Sequence, residues 1–222
     1  MSGLKQARLA APVSHEDLVG LEPGTVVLLD GVIYTGRESV YRRVLDEGHP
    51  PPVDLKNVSN VNFHCSPAAD VADDGTRRVG AVTATASFRF SRWLNPWFER
   101  TGCRIIIGKG GMSEADYKTY FAPNGAIYLT TVGYGTGALL GRGIRRVVDV
   151  HWLRELGIAQ AIWVLEVNNF GPFLVESDLE GNSLFEGQNR TINERIEQLY
   201  AGLKQPSLRR YGETTSREDE VI

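Results

Sequence analysis

Two apolar, β-branched runs, Cys103–Ile107 and Gly125–Val132, each stop at a cluster of glycines. The clusters are Gly108-Lys109-Gly110-Gly111 and Gly133-Tyr134-Gly135-Thr136-Gly137. Runs this short, bounded by glycine, read as buried strands closed by tight turns, because a helix needs a longer apolar period. Further strands are expected at Arg145–Val150, Ala161–Val167 and Phe173–Ser177, with helical stretches between them and an amphipathic helix over Thr191–Leu203. Such alternation predicts an α/β architecture with some parallel pairing. Earlier in the chain, Thr25–Leu29 and Val32–Tyr34 flank Asp30-Gly31, a pair that favours a hairpin turn and would make the sheet mixed. A helix is expected from Arg37 until the prolines at Pro50–Pro52 stop it. Strands follow near Val58–His64 and Val79–Thr85, with a helix starting at Asn95-Pro96. Ser113 and Asp116 form a capping-box pattern for a helix over Glu114–Tyr120.

Residues 1–13 read as an N-terminal arm, residues 14–204 as one domain, and residues 205–222 as a charged, disordered tail. Lys and Arg total 24 against 27 Asp and Glu, a net charge of −3 that argues against nucleic acid as a partner. No apolar run approaches the roughly 18 residues of a membrane span. The first residues lack the apolar stretch of a secretory signal, so a cytoplasmic location is expected. Cys65 and Cys103 are the only cysteines, too few for a disulfide framework or an iron–sulfur site, and read as reduced thiols.

Four places carry chemistry. Lys109 sits among glycines at a strand end, where α/β proteins put ligands and where it meets an anion as a point charge. Thr83, Thr85, Ser87 and Arg89 alternate, so on a continued strand they would share one face. Arg37 stands at a helix start, where a cation is disfavoured unless an anion joins it. Each has a plain alternative as a solvated cation or a Thr-rich strand. Three cations at separate strand ends together favour a carboxylate or phosphate ligand. The fourth place, Gly133–Ala138, matches G-x-G-x-x-A and reads either as a dinucleotide-binding turn or as a close helix–strand contact. The four histidines show no metal-ligand spacing, and the aromatic cluster from Phe88 to Phe98 reads as core or interface.

In order and spacing, VVLLDGVIYTGRE, SFRF, IIIGKG, GAIYLTTVG, AIWVLEVNNF and EGNSLF resemble one family, over about residues 20–186. It is the β subunit, or C-terminal half, of the iron–sulfur class I fumarases and L-tartrate dehydratases. The resemblance implies a swivelling β/β/α domain and a hydro-lyase acting on a 2-hydroxy acid such as malate, tartrate or a bulkier relative. It implies a [4Fe–4S] cluster on a partner α subunit, with an α2β2 complex or a β homodimer as the working unit. It also assigns Arg37, Arg89, Lys109 and Thr85 to substrate binding, and Lys109, Ser87 and Thr85 to catalysis. The sequence departs from the family motif at Ala86, where a threonine thought to help proton abstraction is expected, and at Tyr41, where a histidine is usual. Losing that hydroxyl implies proton transfer slower by roughly 10²–10⁴-fold, unless Ser87 or Tyr41 replaces it. A catalytically degenerate, partner- or acid-binding subunit is the alternative, with a dinucleotide-binding module as a third reading.

Overall fold

The sixteen-residue strand β9 (Ile162–Ser177) organises the sheet. The computed structural model describes residues 3–202 apart from Tyr134, so the expected tail at 205–222 lies outside the described residues. Before β9 come β1 (Gln6–Ala11), β2 (Val26–Thr35), β3 (Val61–Phe63), β4 (Cys65–Val71), β5 (Arg77–Ala84), β6 (Ile105–Gly108), β7 (Ile127–Thr131) and β8 (Ile144–His151). Seven of these form one sheet in the order β1-β2-β3-β6-β7-β9-β8, and β9 also pairs with β2. That extra pairing closes β2, β3, β6, β7 and β9 into a ring. β2, β3, β6 and β7 run parallel, and β9 is antiparallel to both β2 and β7. β4 and β5 make a separate antiparallel hairpin. This is the mixed α/β architecture the sequence predicts.

Alternation along the strands separates two cores, since successive side chains point to opposite faces. One contains Val27, Leu29, Ile33, Phe63, Ile105, Ile107, Leu129, Trp163 and Phe173, with Val82 and Ala84 of the β4–β5 hairpin packed on it. The other contains Tyr34, Ile106, Tyr128, Ile162 and Val164, covered by helices. These helices are α1 (Glu38–Tyr41), which continues as a π-helical turn through Asp46, α2 (Leu55–Val58) and α3 (Ser91–Thr101). With them lies α4 (Glu114–Asp116), extended by a π-helical turn to Phe121. Two short helices follow, α5 (Gly137–Arg142) and α6 (Leu153–Leu156), before α7 (Leu184–Tyr200). The chain divides into one unit through Glu186 and a second from Gly187, inside α7. Among the described residues, no helix is long and apolar enough to cross a membrane.

Four local expectations are corrected. Asp30-Gly31 does not turn the chain. β2 runs through it, with shifts in its β9 register on both sides of Leu29, and Gly31 takes φ +98°. A Cβ on Gly31 would overlap the Ala11 carbonyl oxygen, so the glycine lets β1 lie alongside β2 where β2 bulges against β9. That contact also ends the reading of residues 1–13 as an arm, because Gln6–Ala11 pairs with β2 along its whole length. Ala161–Val167 and Phe173–Ser177 are two ends of the single strand β9, bent at Asn169, which has φ 52°. Finally, α3 begins at Ser91 and carries Pro96 inside, continuing from the 3₁₀ turn Phe88–Phe90. Its buried face of Trp93, Leu94, Trp97 and Phe98 outweighs the proline penalty of about 3 kcal/mol.

The capping box is present as predicted: Ser113 Oγ accepts from the Asp116 N–H at 3.1 Å and Asp116 Oδ2 accepts from the Ser113 N–H at 3.3 Å. Ser113→Ala should cost about 1 kcal/mol, a fall in Tm of about 2–4 °C in a thermal melt.

Candidate anion-binding site

The carboxyl ends of β2 and β6 bring their following residues together with the end of β5. Gly36 follows β2, and its N–H donates to the Phe63 carbonyl at 3.4 Å. A Cβ there would stand 3.0 Å from the Asn62 amide oxygen. Arg37 comes next, its Nη1 donating to Ser66 Oγ and, at 3.2 Å, to the Ala159 carbonyl. Its Nε is buried with no hydrogen-bond partner among the described residues. Burial lowers the Arg37 pKa, and the charge of Arg89 adds to that effect. Lys109 follows β6. Its N–H donates to the Thr85 carbonyl at 3.2 Å, and it bridges Ala86 in parallel fashion.

Arg37, Ala86 and Lys109 line a cleft of about 380 Å³ together with Ser66, Thr83, Thr85 and Arg89. Among the described residues no acidic side chain lines it, and neither Arg89 nor Lys109 forms an ion pair. Arg89 instead lies 5.5 Å from the Phe90 ring centroid. An acid-free cleft with two guanidinium groups and an ammonium suits a carboxylate. A second cleft, of about 470 Å³, shares the Ala86–Lys109 wall and is otherwise lined by Phe88, Phe185, Thr130, Thr131 and the glycines 110, 111 and 133. Phe88 is 62% exposed at its rim. Beneath Gly111 lies Glu176, whose Oε1 accepts from Ser183 Oγ at 2.6 Å. Burial pushes the Glu176 carboxyl pKa up.

Of the residues singled out from the sequence, Arg37, Thr85, Arg89 and Lys109 therefore meet in one cleft. Ser87 does not line it. β5 stops at Ala84 and the chain coils into the 3₁₀ turn, so the alternation assumed for positions 83 to 89 breaks and Ser87 turns inward. It is fully buried, with Oγ 2.7 Å from His64 Nδ1 and accepting from the Tyr128 hydroxyl at 2.8 Å. Tyr41 is equally buried and sits 2.6 Å from His64 Nε2. Neither hydroxyl opens to the cleft. His64 itself, set aside for want of metal spacing, is the residue that sequence reasoning missed.

Gly135 and Thr136 turn into α5, a helix of six residues that begins at Gly137. A Cβ on Gly137 would meet the Val82 carbonyl at 3.0 Å, and one on Gly141 would overlap the Gly80 carbonyl. The glycines thus let α5 lie against β5. The hollow beside them is about 110 Å³, small against the roughly 300–1,000 Å³ of small-molecule sites. The residues of this chain do not suit an iron–sulfur cluster. Both cysteines are buried and free, burial pushes their thiols up (Cys103 to about 12), and no group of three potential metal ligands occurs among the described residues.

Sheet order and strand-end cations together describe a mixed α/β chain with a cationic cleft at the ends of its strands. The family profile described as Fumarase C-terminus matches residues 2–188, and the chain belongs to that family. A Methanocaldococcus jannaschii protein named as a β subunit of L(+)-tartrate dehydratase is 34% identical over 190 residues, covering 84% of this chain and 95% of the relative. The Escherichia coli L(+)-tartrate dehydratase β subunit is 30% identical, covering 84% of this chain and 90% of its own length. A Geobacillus stearothermophilus protein named as a class I fumarate hydratase is 33% identical over 191 residues, which are 86% of this chain but only 36% of that longer protein.

Proposed function

We propose that the chain is the carboxylate-holding β subunit of a hydro-lyase that removes water from a 2-hydroxy acid and completes its active site with an α-type partner. The observation that carries this reading is the set of three cations around a cleft without acids. Arg37 and Arg89 hold a carboxylate through paired N–H donors. Lys109 faces the same group and stabilises the negative charge that grows on it as the neighbouring carbon loses its proton. Thr85 supplies a hydroxyl inside the cleft, which suits it better than Ser87 or Tyr41 to handle that proton. The [4Fe–4S] cluster expected of such an enzyme belongs on the partner in this reading, since the cysteines here are isolated and protonated.

The adjoining cleft supports a bulkier acid than malate or tartrate. Its exposed Phe88 and Phe185 favour an apolar substituent, and Glu176 under Gly111 offers nothing to a second carboxylate. Ala86 motivates the second reading, a subunit that binds acid without turnover.

The test is co-expression with an α-type subunit, followed by anaerobic assay of malate, tartrate and 2- or 3-alkylmalates. Turnover is expected, with kcat/KM favouring an alkylated acid. Phe185→Ala should erode that preference by about 10-fold, in line with 1–3 kcal/mol per apolar group. An intact complex inert toward every acid would overturn the hydro-lyase reading in favour of the second.

A further inference from the structure

His64 is bonded on every side. It follows β3, its N–H donates to the Ile107 carbonyl at 2.8 Å, and its carbonyl accepts from the Thr85 N–H at 2.6 Å. Its ring stands edge-on to Tyr41 and Phe90, with centroids 5.7 and 5.0 Å away. Nε2 lies 2.6 Å from the Tyr41 hydroxyl, and Nδ1 lies 2.7 Å from Ser87 Oγ. Beyond these, Asn62 Nδ2 donates to the Tyr41 oxygen at 2.7 Å, while the Tyr128 hydroxyl donates to Ser87 at 2.8 Å and lies 3.4 Å from the Lys109 carbonyl oxygen.

Every arm of this chain ends on a segment that carries a cleft residue. The Tyr41 N–H donates to the Arg37 carbonyl at 3.0 Å, one helical turn back. Ser87 sits between Thr85 and Arg89, and the Tyr128 arm reaches the backbone of Lys109. We propose that His64 is a positioning residue, tying the segments that bear Arg37, Thr85 with Arg89, and Lys109 into one anion-binding geometry. The inference rests on the hydro-lyase reading for the identity of the anion, and on these contacts for the rest.

The cations need such a restraint. Without a ligand, like charges lining one cleft repel, and side chains on three separate segments would spread. A charged imidazole would add to that repulsion. Burial and, second, the Arg37 charge push the His64 pKa down to about 3, so the ring is neutral, with one donor and one acceptor nitrogen. Arg37 is the charged group that acts on it, and the phenols Tyr41 and Tyr128 are both held protonated by burial. With Asn62 donating to Tyr41, the Tyr41 hydrogen points to Nε2. The Nδ1 proton then goes to Ser87, which accepts from Tyr128 as well.

The probe is succinate, titrated calorimetrically into the full chain, with kcat and KM measured in the partner complex. His64→Phe keeps a planar ring and removes both ring bonds; it should weaken succinate binding by 10-fold or more and raise KM by a similar factor while kcat changes less. His64→Asn keeps a donor near the Nδ1 position and should recover most of that loss. Succinate binding by His64→Phe within twofold of wild type overturns the proposal. So does a loss that Asn fails to recover, since packing alone would then explain it. Should the Phe variant not fold, Ser87→Ala removes the partner and leaves the ring, and unaltered succinate binding there is equally fatal. No succinate binding by the wild-type chain would overturn the anion-binding geometry itself. Wild-type binding without turnover of any 2-hydroxy acid would sink the hydro-lyase reading alone.

Discussion

Lys109→Ala should lower kcat/KM of the reconstituted enzyme by about 10²–10³-fold, the usual effect of removing one donor aimed at developing charge. Lys109 is common to the three hollows described above. Its position is set by its backbone, through the Thr85 carbonyl and the Ala86 bridge, and its side chain is exposed. Truncation therefore removes charge without removing core, and Tm should stay within about 1–2 °C of wild type, as for surface substitutions generally. Lys109→Arg should not restore full rate, because a planar fork replaces a compact point charge. Steady-state kinetics of the complex on its best acid, with a melt of each variant, check both statements. Wild-type kcat/KM in the alanine variant would remove Lys109 from the site.

Gly108→Ala should act on stability and site together. Gly108 is the last residue of β6 and is buried. An added Cβ would overlap both Ser87 Oγ and the Tyr128 hydroxyl, the pair at the centre of the buried chain, and would stand 3.2 Å from the Thr85 carbonyl oxygen. One methyl group thus forces two hydroxyls apart inside a packed core. Overpacking of this kind costs about 1–3 kcal/mol, and an unpaired buried hydroxyl adds to it. A loss of about 3 kcal/mol corresponds to a Tm lower by about 6–12 °C for a chain of this size. Binding of succinate should weaken with it. A variant melting within 2 °C of wild type would show that the hydroxyls have room the structure does not give them.

How far the sequence carried the argument depends on the range over which each signal acts. The Ser113–Asp116 cap is complete within four residues, so it was legible. The strand end before Lys109 was legible too, because glycine stops a run whatever surrounds it. Asp30-Gly31 misled because the same positive φ serves a hairpin turn or a bulge, and the deciding contact comes from Ala11 on another strand. Thr85 and Arg89 line one cleft, but Ser87 leaves their face because alternation holds only while a strand lasts, and β5 ends at Ala84. His64 carried no signal at all. Its ring partners Tyr41 and Ser87 each lie 23 residues away, and only the fold makes them neighbours. The four cleft residues were within reach because each is a charge or hydroxyl close to the end of a strand.

The ring closed by β9 has a consequence for how such a subunit diversifies. β2, β3, β6 and β7 point the same way round it, so all four discharge their next residues onto a single rim. Arg37 leaves from the first, His64 from the second, Lys109 from the third, and the glycine-rich turn after Thr131 from the fourth. Each rim residue is thus delivered by its own stave, and the hoop of hydrogen bonds below does not depend on what any stave carries at its tip. The mouth can therefore be recut one tip at a time and the cask kept.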